Sequence, residues 1–206
     1  MREGFLQQLE EVKNQLYTMS RFVERAISNS IKAITTSDKS YCETVYKLEI
    51  EINHYEKLID KLCAEILIMQ QPVATDFSIV YTTQKIIVDL ERMGDNAEDI
   101  AKITEKISEK KIKDYVLIPR MAEETIRLVK GGLEAYMNQD YEAAVQIRNG
   151  DDEVDDLFNE VKKEISKIIL ENPQSIDTAL DILMIAKYFE KIADHAVNIA
   201  EHIIVN

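Results

Sequence analysis

Apolar residues along the chain recur in alternating steps of three and four. Between Lys39 and Gln70 the positions Val45, Leu48, Ile52, Tyr55, Ile59, Leu62, Ile66 and Met69 hold that rhythm without a break. This is the seam of a helix packed against antiparallel neighbours in a bundle. The same reading predicts a helix over Glu3–Thr36 before it, with Asp38 as N-cap of the second helix, and a third helix from Thr75 or Asp76 to about Lys111. Pro72 separates the second and third, where its missing N–H does least harm. A fourth helix is predicted from about Tyr115 to Asn138, with Pro119 in its first turn. A fifth runs from Asp140 to Glu171, closed by Pro173, and a sixth from Ser175 to Ile204. Gly150 lies inside the fifth helix, in register with Leu48 of the second, so a break at Asn149-Gly150 with a restart at Asp151 is an option.

The third and sixth segments contain a repeat. KIIVDLERMGDNAEDIA (Lys85 to Ala101) and MIAKYFEKIADHAVNIA (Met184 to Ala200) superpose with a shift of 99 positions. Ile86/Ile185, Glu91/Glu190, Asp95/Asp194, Ala97/Ala196, Ile100/Ile199 and Ala101/Ala200 are then identical. Unrelated helices share apolar periodicity easily, but not two carboxylates and several small residues in register. The expected fold is therefore all-α: two tandem, pseudo-symmetric three-helix bundles, residues 1–111 and 112–206. The 206 residues suffice for two units of about this size. Only 5 Gly and 3 Pro occur, which agrees with long helices rather than many strands and turns.

The net charge of −13 repels phosphate backbones, so nucleic acid is not an expected partner, whereas cations and basic protein surfaces are. The same charge also serves plain solubility. Cys42 and Cys63 lie in amphipathic sequence without CxxC spacing and read as buried free thiols. The polar opening Met1 to Glu11 is unlike a signal peptide, and no run approaches the ~18 apolar residues of a membrane span. A cytoplasmic protein without direct membrane insertion is expected.

Glu91 and Asp95, like Glu190 and Asp194, stand four residues apart on one helix face, about 6 Å apart at Cβ. Exposed like charges at this spacing repel by a few tenths of a kcal/mol, and a bound cation would offset that. Along the third helix the row Val80, Gln84, Ile87, Glu91, Asp95, Glu98 is first mainly apolar and then acidic; Ala179, Leu183, Ala186, Glu190, Asp194, Val197 follows suit. The competing reading is local ion pairing: Glu91 with Arg92 or Lys102, Glu190 with Lys187 or Lys191. Aligning Leu48–Asn53 with Gly150–Asp155 adds Glu49 and Asn53 in the first unit and Asp151 and Asp155 in the second, all beside the core seam. Oxygen ligands without Cys or His suit magnesium, manganese, calcium or iron. A solvated acidic helix start is the alternative for Asp151 to Asp156.

Glu51-x-x-His54 has the spacing of di-iron bundles, but no second copy exists, so His54 reads as a surface residue. His195 is a weak ligand candidate, about 100° round the helix from Asp194, and His202 suits the helix C-terminus. No GxSxG, Walker, GxGxxG or HExxH motif is present.

At these residues the chain resembles the PhoU family of phosphate-uptake regulators. The resemblance is carried by LERMGDNAEDIA (Leu90 to Ala101), FEKIADHAVNIAE (Phe189 to Glu201), QQPVATDFSIV (Gln70 to Val80) and DDEVDD (Asp151 to Asp156), and it spans nearly the whole chain. It implies a pair of pseudo-symmetric three-helix bundles, often homodimeric. It also implies multinuclear iron or zinc clusters, found in some members, on paired E(D)xxxD motifs. Carried over by position, the ligands would be Glu91, Asp95, Asp151, Asp155, Glu190 and Asp194, with Glu49 and Asn53 completing the first site. Asn53 offers a neutral oxygen where Asp155 offers charge, so the second-unit site is the stronger expected binder. The resemblance further implies a non-enzymatic adaptor that represses the phosphate-starvation response and limits uptake, linking the ATPase subunit of a phosphate ABC transporter to a membrane sensor kinase. A carboxylate-bound iron enzyme and a metal-free helical scaffold are the competing functions.

Overall fold

The structure is a computed structural model that describes residues 2–70, 74–107, 117–150 and 152–204. Its helices are α1 (Arg2–Thr36), α2 (Ser40–Gln70), α3 (Ala74–Lys106), α4 (Leu117–Asn138), α5 (Tyr141–Arg148), α6 (Asp152–Glu171) and α7 (Ile176–Ile204), with a 3-10 turn at Pro173–Ser175. No strand occurs among the described residues. α1, α2 and α3 pack on one another as one bundle, and α4, α5, α6 and α7 form the second. The expected all-α fold of two three-helix repeats is the fold observed. The expected boundary between residues 111 and 112, the predicted start at Tyr115 and the predicted end of the third helix at Lys111 lie outside the described residues.

The first turn of each bundle is built in the same way. Ser37 (φ 60°) and Gln139 (φ 53°) take left-handed backbone conformations and end α1 and α4. An aspartate follows each: Asp38 accepts from the Ser40 N–H at 2.9 Å, and Asp140 from the Ala143 N–H at 3.0 Å. Each carboxylate satisfies a helix-start donor that would otherwise lack a partner. The predicted fifth helix does break at Asn149-Gly150. The Gly150 N–H turns back to the Ile147 carbonyl at 3.0 Å, and a Cβ there would lie 3.1 Å from Leu128 Cδ2. α2 carries Leu48 at the matching position, buried in the core, and runs through unbroken.

The predicted seams are the core. Val45, Ile52, Ile59 and Ile66 of α2 are buried, as are Val154, Leu157, Val161 and Ile165 of α6 and Phe189 of α7. Burying such a side chain stabilises by about 1.5–3 kcal/mol. Tyr55, Leu62 and Ile168 are half-buried beside them, while Met69 is exposed near the end of α2. The two repeats meet through α3 on α7 and α1 on α4. α4 also lies close against α7: a Cβ on Gly132 would come within 2.8 Å of the Ala196 carbonyl oxygen. α3 and α7 cross antiparallel, because Asp89 contacts Asn198 while Asp99 contacts Tyr188. Those two contacts join equivalent positions of the two repeats and mark the pseudo-two-fold relation between them.

Candidate functional site

α3 presents Glu91, Asp95 and Glu98 on successive turns, all partly buried at the edge of the core. α2 brings Glu49 and Asn53 alongside, and the Asn53 amide donates to Glu49 Oε1. Withdrawal from water raises the pKa of Glu49, and the charges of Glu98 and Asp95 raise it further. The α2 carboxylate is thus near enough to those of α3 for their charge to act on it. Glu91 is raised by burial and then by Asp95; Asp95 is raised by burial and by Asp99 and Glu98, against the pull of Arg92. The face thus holds more negative charge than its cations neutralise. Arg92 lies 3.6 Å from Glu91 and 3.8 Å from Asp95. Lys102 lies 2.5 Å from Glu98 and 3.6 Å from Asp99.

The second repeat places Asp155 of α6 near Glu190 and Asp194 of α7. Asp155 and Asp194 keep exposed edges, yet the helices behind them remove part of their hydration and raise both pKa values. Glu190 adds to both shifts and Asp155 adds to that of Asp194. Lys187 pairs with Glu190 and also lies over the Phe158 ring, 5.4 Å from its centroid. Asp151 lies outside the described residues.

The local ion pairs offered above as the competing reading, Arg92 with Glu91 and Lys187 with Glu190, are therefore present. Among the described residues no three His, Cys, Asp or Glu side chains are gathered into a set that holds a metal ion as they stand. The donor chemistry is nonetheless that of an oxygen-seeking cation: several carboxylates from two helices, short of neutralising charge, at the edge of a packed core. In that chemical sense Glu49, Asn53, Glu91, Asp95, Asp155, Glu190 and Asp194 fit a hard or borderline metal.

His54 is exposed and meets Tyr55 edge-on. His195 and His202 turn instead to Asp89, which the sequence reading did not single out. His195 Nδ1 is 2.9 Å from Asp89 Oδ1, and Asn198 Nδ2 donates to the same oxygen at 3.2 Å. His202 Nε2 stands 3.7 Å from Oδ2. Burial alone would raise the Asp89 pKa, but the hydrogen bonds from α7 outweigh it and bring it to about 2. Nothing on α3 alone points to this role, since every partner comes from the other repeat. Cys42 and Cys63 are buried free thiols whose pKa values burial pushes up to about 11 and about 12, so neither is a thiolate at neutral pH. No helix among the described residues is long and apolar enough to cross a membrane.

The PhoU domain model matches this chain twice, over residues 16–104 and 118–203, one match to each bundle. The chain is similar to the phosphate-specific transport system accessory protein PhoU homolog of Clostridium acetobutylicum, 32% identical with 97% of this chain and 92% of that protein covered. It is 30% identical to the accessory protein PhoU of Escherichia coli, covering 97% of this chain and 83% of that one. The crystal structure of PhoU from Pseudomonas aeruginosa superposes with a TM-score of 0.91 at 28% identity, covering 97% of both chains. With both of its bundles matched and its fold and length shared with these relatives, the chain belongs to the PhoU family.

Proposed function

We propose that this protein is an accessory regulator of phosphate-specific transport, an adaptor that restrains uptake and phosphate-starvation signalling by contacting the transporter's ATPase subunit and a membrane sensor kinase. The carrying observation is similarity over nearly the whole chain to proteins named as accessories of that system, with both repeats retained. The role is regulatory rather than catalytic, cytoplasmic, and exercised as a homodimer. Capture of the ATPase subunit by tagged protein from a detergent extract tests the adaptor reading, and failure of native protein to capture it would count against that reading.

The acidic faces are the sites we assign to metal ions, with iron the first expectation and zinc, manganese, magnesium or calcium the alternatives. Glu49, Asn53, Glu91 and Asp95 would hold the first set, and Asp151, Asp155, Glu190 and Asp194 the second. Bound there, a cation would supply positive charge and cross-link two helices of a repeat, while the carboxylates orient and neutralise it. Metal content of purified protein, compared with the Asp95→Asn plus Asp194→Asn variant, is the test; unchanged content in the variant would remove the assignment. The pairing of Arg92 and Lys187 with these carboxylates favours a second reading, a metal-free scaffold whose acidic faces receive basic partner surfaces.

A further inference from the structure

Half-exposed apolar side chains recur at equivalent places in the two repeats. Near the start of α3 stand Phe77 and Tyr81, their rings stacked with centroids 6.1 Å apart. Shifted by 99 positions, the same places at the start of α7 hold Ile176 and Leu180, also exposed. Ile68 near the end of α2 and Leu170 near the end of α6 are exposed as well, and they correspond under the shift that matches Leu48 with Gly150. Single exposed apolar residues are ordinary on a protein surface. Three matched pairs, in which the residue changes and the apolar character stays, are not scatter.

Their placement follows from the way the repeats meet. α3 and α7 cross antiparallel, with Asp89 against Asn198 and Asp99 against Tyr188. Midway between those contacts are Gly94 and Ala193, themselves equivalent. Phe77 and Ile176 each stand roughly five turns, about 25 Å, before that point, on helices of opposite direction. The two patches therefore lie at opposite ends of the α3–α7 pair, about 50 Å apart. They also look the same way. Phe77, Tyr81, Lys85, Val88 and Arg92 form one exposed stripe of α3, while α1, α2 and α7 pack on its other sides. Asp89, which meets α7, follows Val88 by about 100° round the helix. A two-fold axis that exchanges antiparallel neighbours runs perpendicular to the plane holding both helices. A stripe about a quarter-turn from the shared contact stays on the same side after that rotation. Ile176, Leu180, Met184, Lys187 and Lys191 thus continue the surface on α7, and the pseudo-two-fold axis emerges through its middle.

We propose that this face, through its two apolar ends, docks a two-fold-symmetric partner that presents one surface twice: the paired ATPase subunits of the transporter. The inference rests on the adaptor reading above and specifies its contact. The relatives are named for the transport system, which makes its ATPase pair the partner chosen. A dimer with a true axis fits a pseudo-two-fold surface, since each end then meets an identical site. Each end, with two or three partly exposed side chains, offers far less than the roughly 800 Å² per partner of a standard interface, so binding depends on engaging both at once. Charge disfavours a second copy as the occupant. The cations of the stripes are already held, Arg92 by Glu91 and Asp95, Lys187 by Glu190, and Lys85 and Lys191 over Tyr81 and Tyr188. The stripes then run on into Asp95 and Asp194, and two chains of net charge −13 pressed face to face would set these carboxylates against their like. The matching surface of the partner is apolar with a basic border.

The test is binding of the full chain to the purified phosphate transporter in detergent micelles, read by biolayer interferometry. Phe77→Lys with Tyr81→Lys should weaken binding at least tenfold, Ile176→Lys with Leu180→Lys likewise, and all four together should leave none detectable. Circular dichroism checks the fold of each variant; where a pair fails to fold, Tyr81→Ser and Leu180→Ser, made singly, decide. Phe77→benzoylphenylalanine and Ile176→benzoylphenylalanine, irradiated in the complex, should label the same segment of the ATPase subunit. Loss confined to one end, labelling of two different segments, or unchanged binding by folded variants would overturn this inference and leave the adaptor reading standing. Absence of binding by the native chain would overturn both. Conversion of a dimer of this chain to monomer by either pair would make the face a contact between copies. Loss of kinase binding with transporter binding intact would assign it to the kinase, and either result overturns the proposal.

Discussion

In the first repeat α2 contributes one charged oxygen ligand candidate, Glu49, and the neutral Asn53, while α3 contributes Glu91, Asp95 and Glu98. In the second, α6 supplies Asp155 and α7 supplies Glu190 and Asp194, and Val197, largely buried, stands where Glu98 does. In the sequence Asp151 and Asp155 match Glu49 and Asn53, so the charge that Asn53 lacks is offset by Glu98 on the neighbouring helix. The cations differ as well. Arg92 lies across both Glu91 and Asp95, whereas its counterpart Lys191 turns to the Tyr188 ring, 5.6 Å from the centroid. Lys187, which pairs with Glu190, occupies the position of the exposed Val88. The lesson is that a duplicated acidic face preserves net potential more readily than ligand positions. Among the described residues Asp194 makes no direct ion pair, whereas Asp95 has Arg92, so Asp194 is the less neutralised oxygen donor.

The largest expected effect follows from that difference. Glu190→Gln with Asp194→Asn should lower affinity for a titrated divalent metal by roughly 100-fold or more, at or beyond the upper end of the 10–100-fold typical of an outer-shell partner. Glu91→Gln with Asp95→Asn should lower it less, because Arg92 already competes there. Direct metal titration of both variants checks the ranking, and equal losses would erase the distinction between the faces.

The pseudo-symmetric contacts between the repeats give the next effect. Asp89 with Asn198 and Tyr188 with Asp99 occupy equivalent places, but only Asp89 is also held by His195 and His202. Its carboxyl, brought to about 2 in the folded protein against roughly 4 when unfolded, adds stability that is present above pH 4 and lost as pH falls towards 2. Allowing for solvent screening, Asp89→Asn should cost about 1–2 kcal/mol at pH 7, and the gap from the native protein should shrink in acid. Tyr188→Phe should cost about 1 kcal/mol or less. Urea unfolding at pH 7 and pH 3 measures both. The raised carboxylates Glu49, Glu91 and Asp95 act in the opposite sense: folded protein binds their protons more tightly, so their contribution falls as pH rises through the carboxylate range.

A third comparison lies within the cores. A Cβ on Gly94 would meet Ile52 Cδ1 at 3.0 Å, and in the second repeat the matching residues are Ala193 and Val154. One repeat pairs the smallest residue with the longer side chain; the other pairs alanine with valine. Ile52→Val removes the nearer of the two atoms that crowd Gly94→Ala and leaves Cγ2 at 3.2 Å. The double variant should therefore be more stable than the two single changes predict by about 1 kcal/mol, read from a double-mutant cycle. Simple additivity would mean that the two cores are not matched in this way.

The helices, their repeat and the acidic pairs were legible because each rests on spacing within one helix: the seam of α2, the shift that superposes Glu91 on Glu190, the breaker at Gly150. Contacts between repeats were not. His195 and His202 appeared as a weak ligand and a helix-end cation because Asp89 is more than a hundred residues away in sequence, and its own counterpart, Tyr188, is not acidic. Glu98 was visible in the acidic row, but its coupling to Glu49 depends on how closely α2 approaches α3, which periodicity does not report.

The smallest expected effect tests the difference between the faces from the other side. Asn53→Asp gives the first repeat the residue that Asp155 supplies in the second. In metal-free protein the new carboxylate would replace an amide that donates to Glu49 with a like charge one turn away, already under the influence of Glu98 and Asp95. Stability at neutral pH should fall by a few tenths of a kcal/mol, up to about 1 kcal/mol where partial burial strengthens the repulsion. Added divalent metal should reverse the sign, because the same charge then meets a cation. Thermal unfolding with chelator and with excess metal measures the two arms. A metal-induced rise in the Asn53→Asp variant larger than in the native chain would tie the asymmetry of the faces to this one residue. An equal rise would place it instead with Arg92, whose guanidinium already spans Glu91 and Asp95.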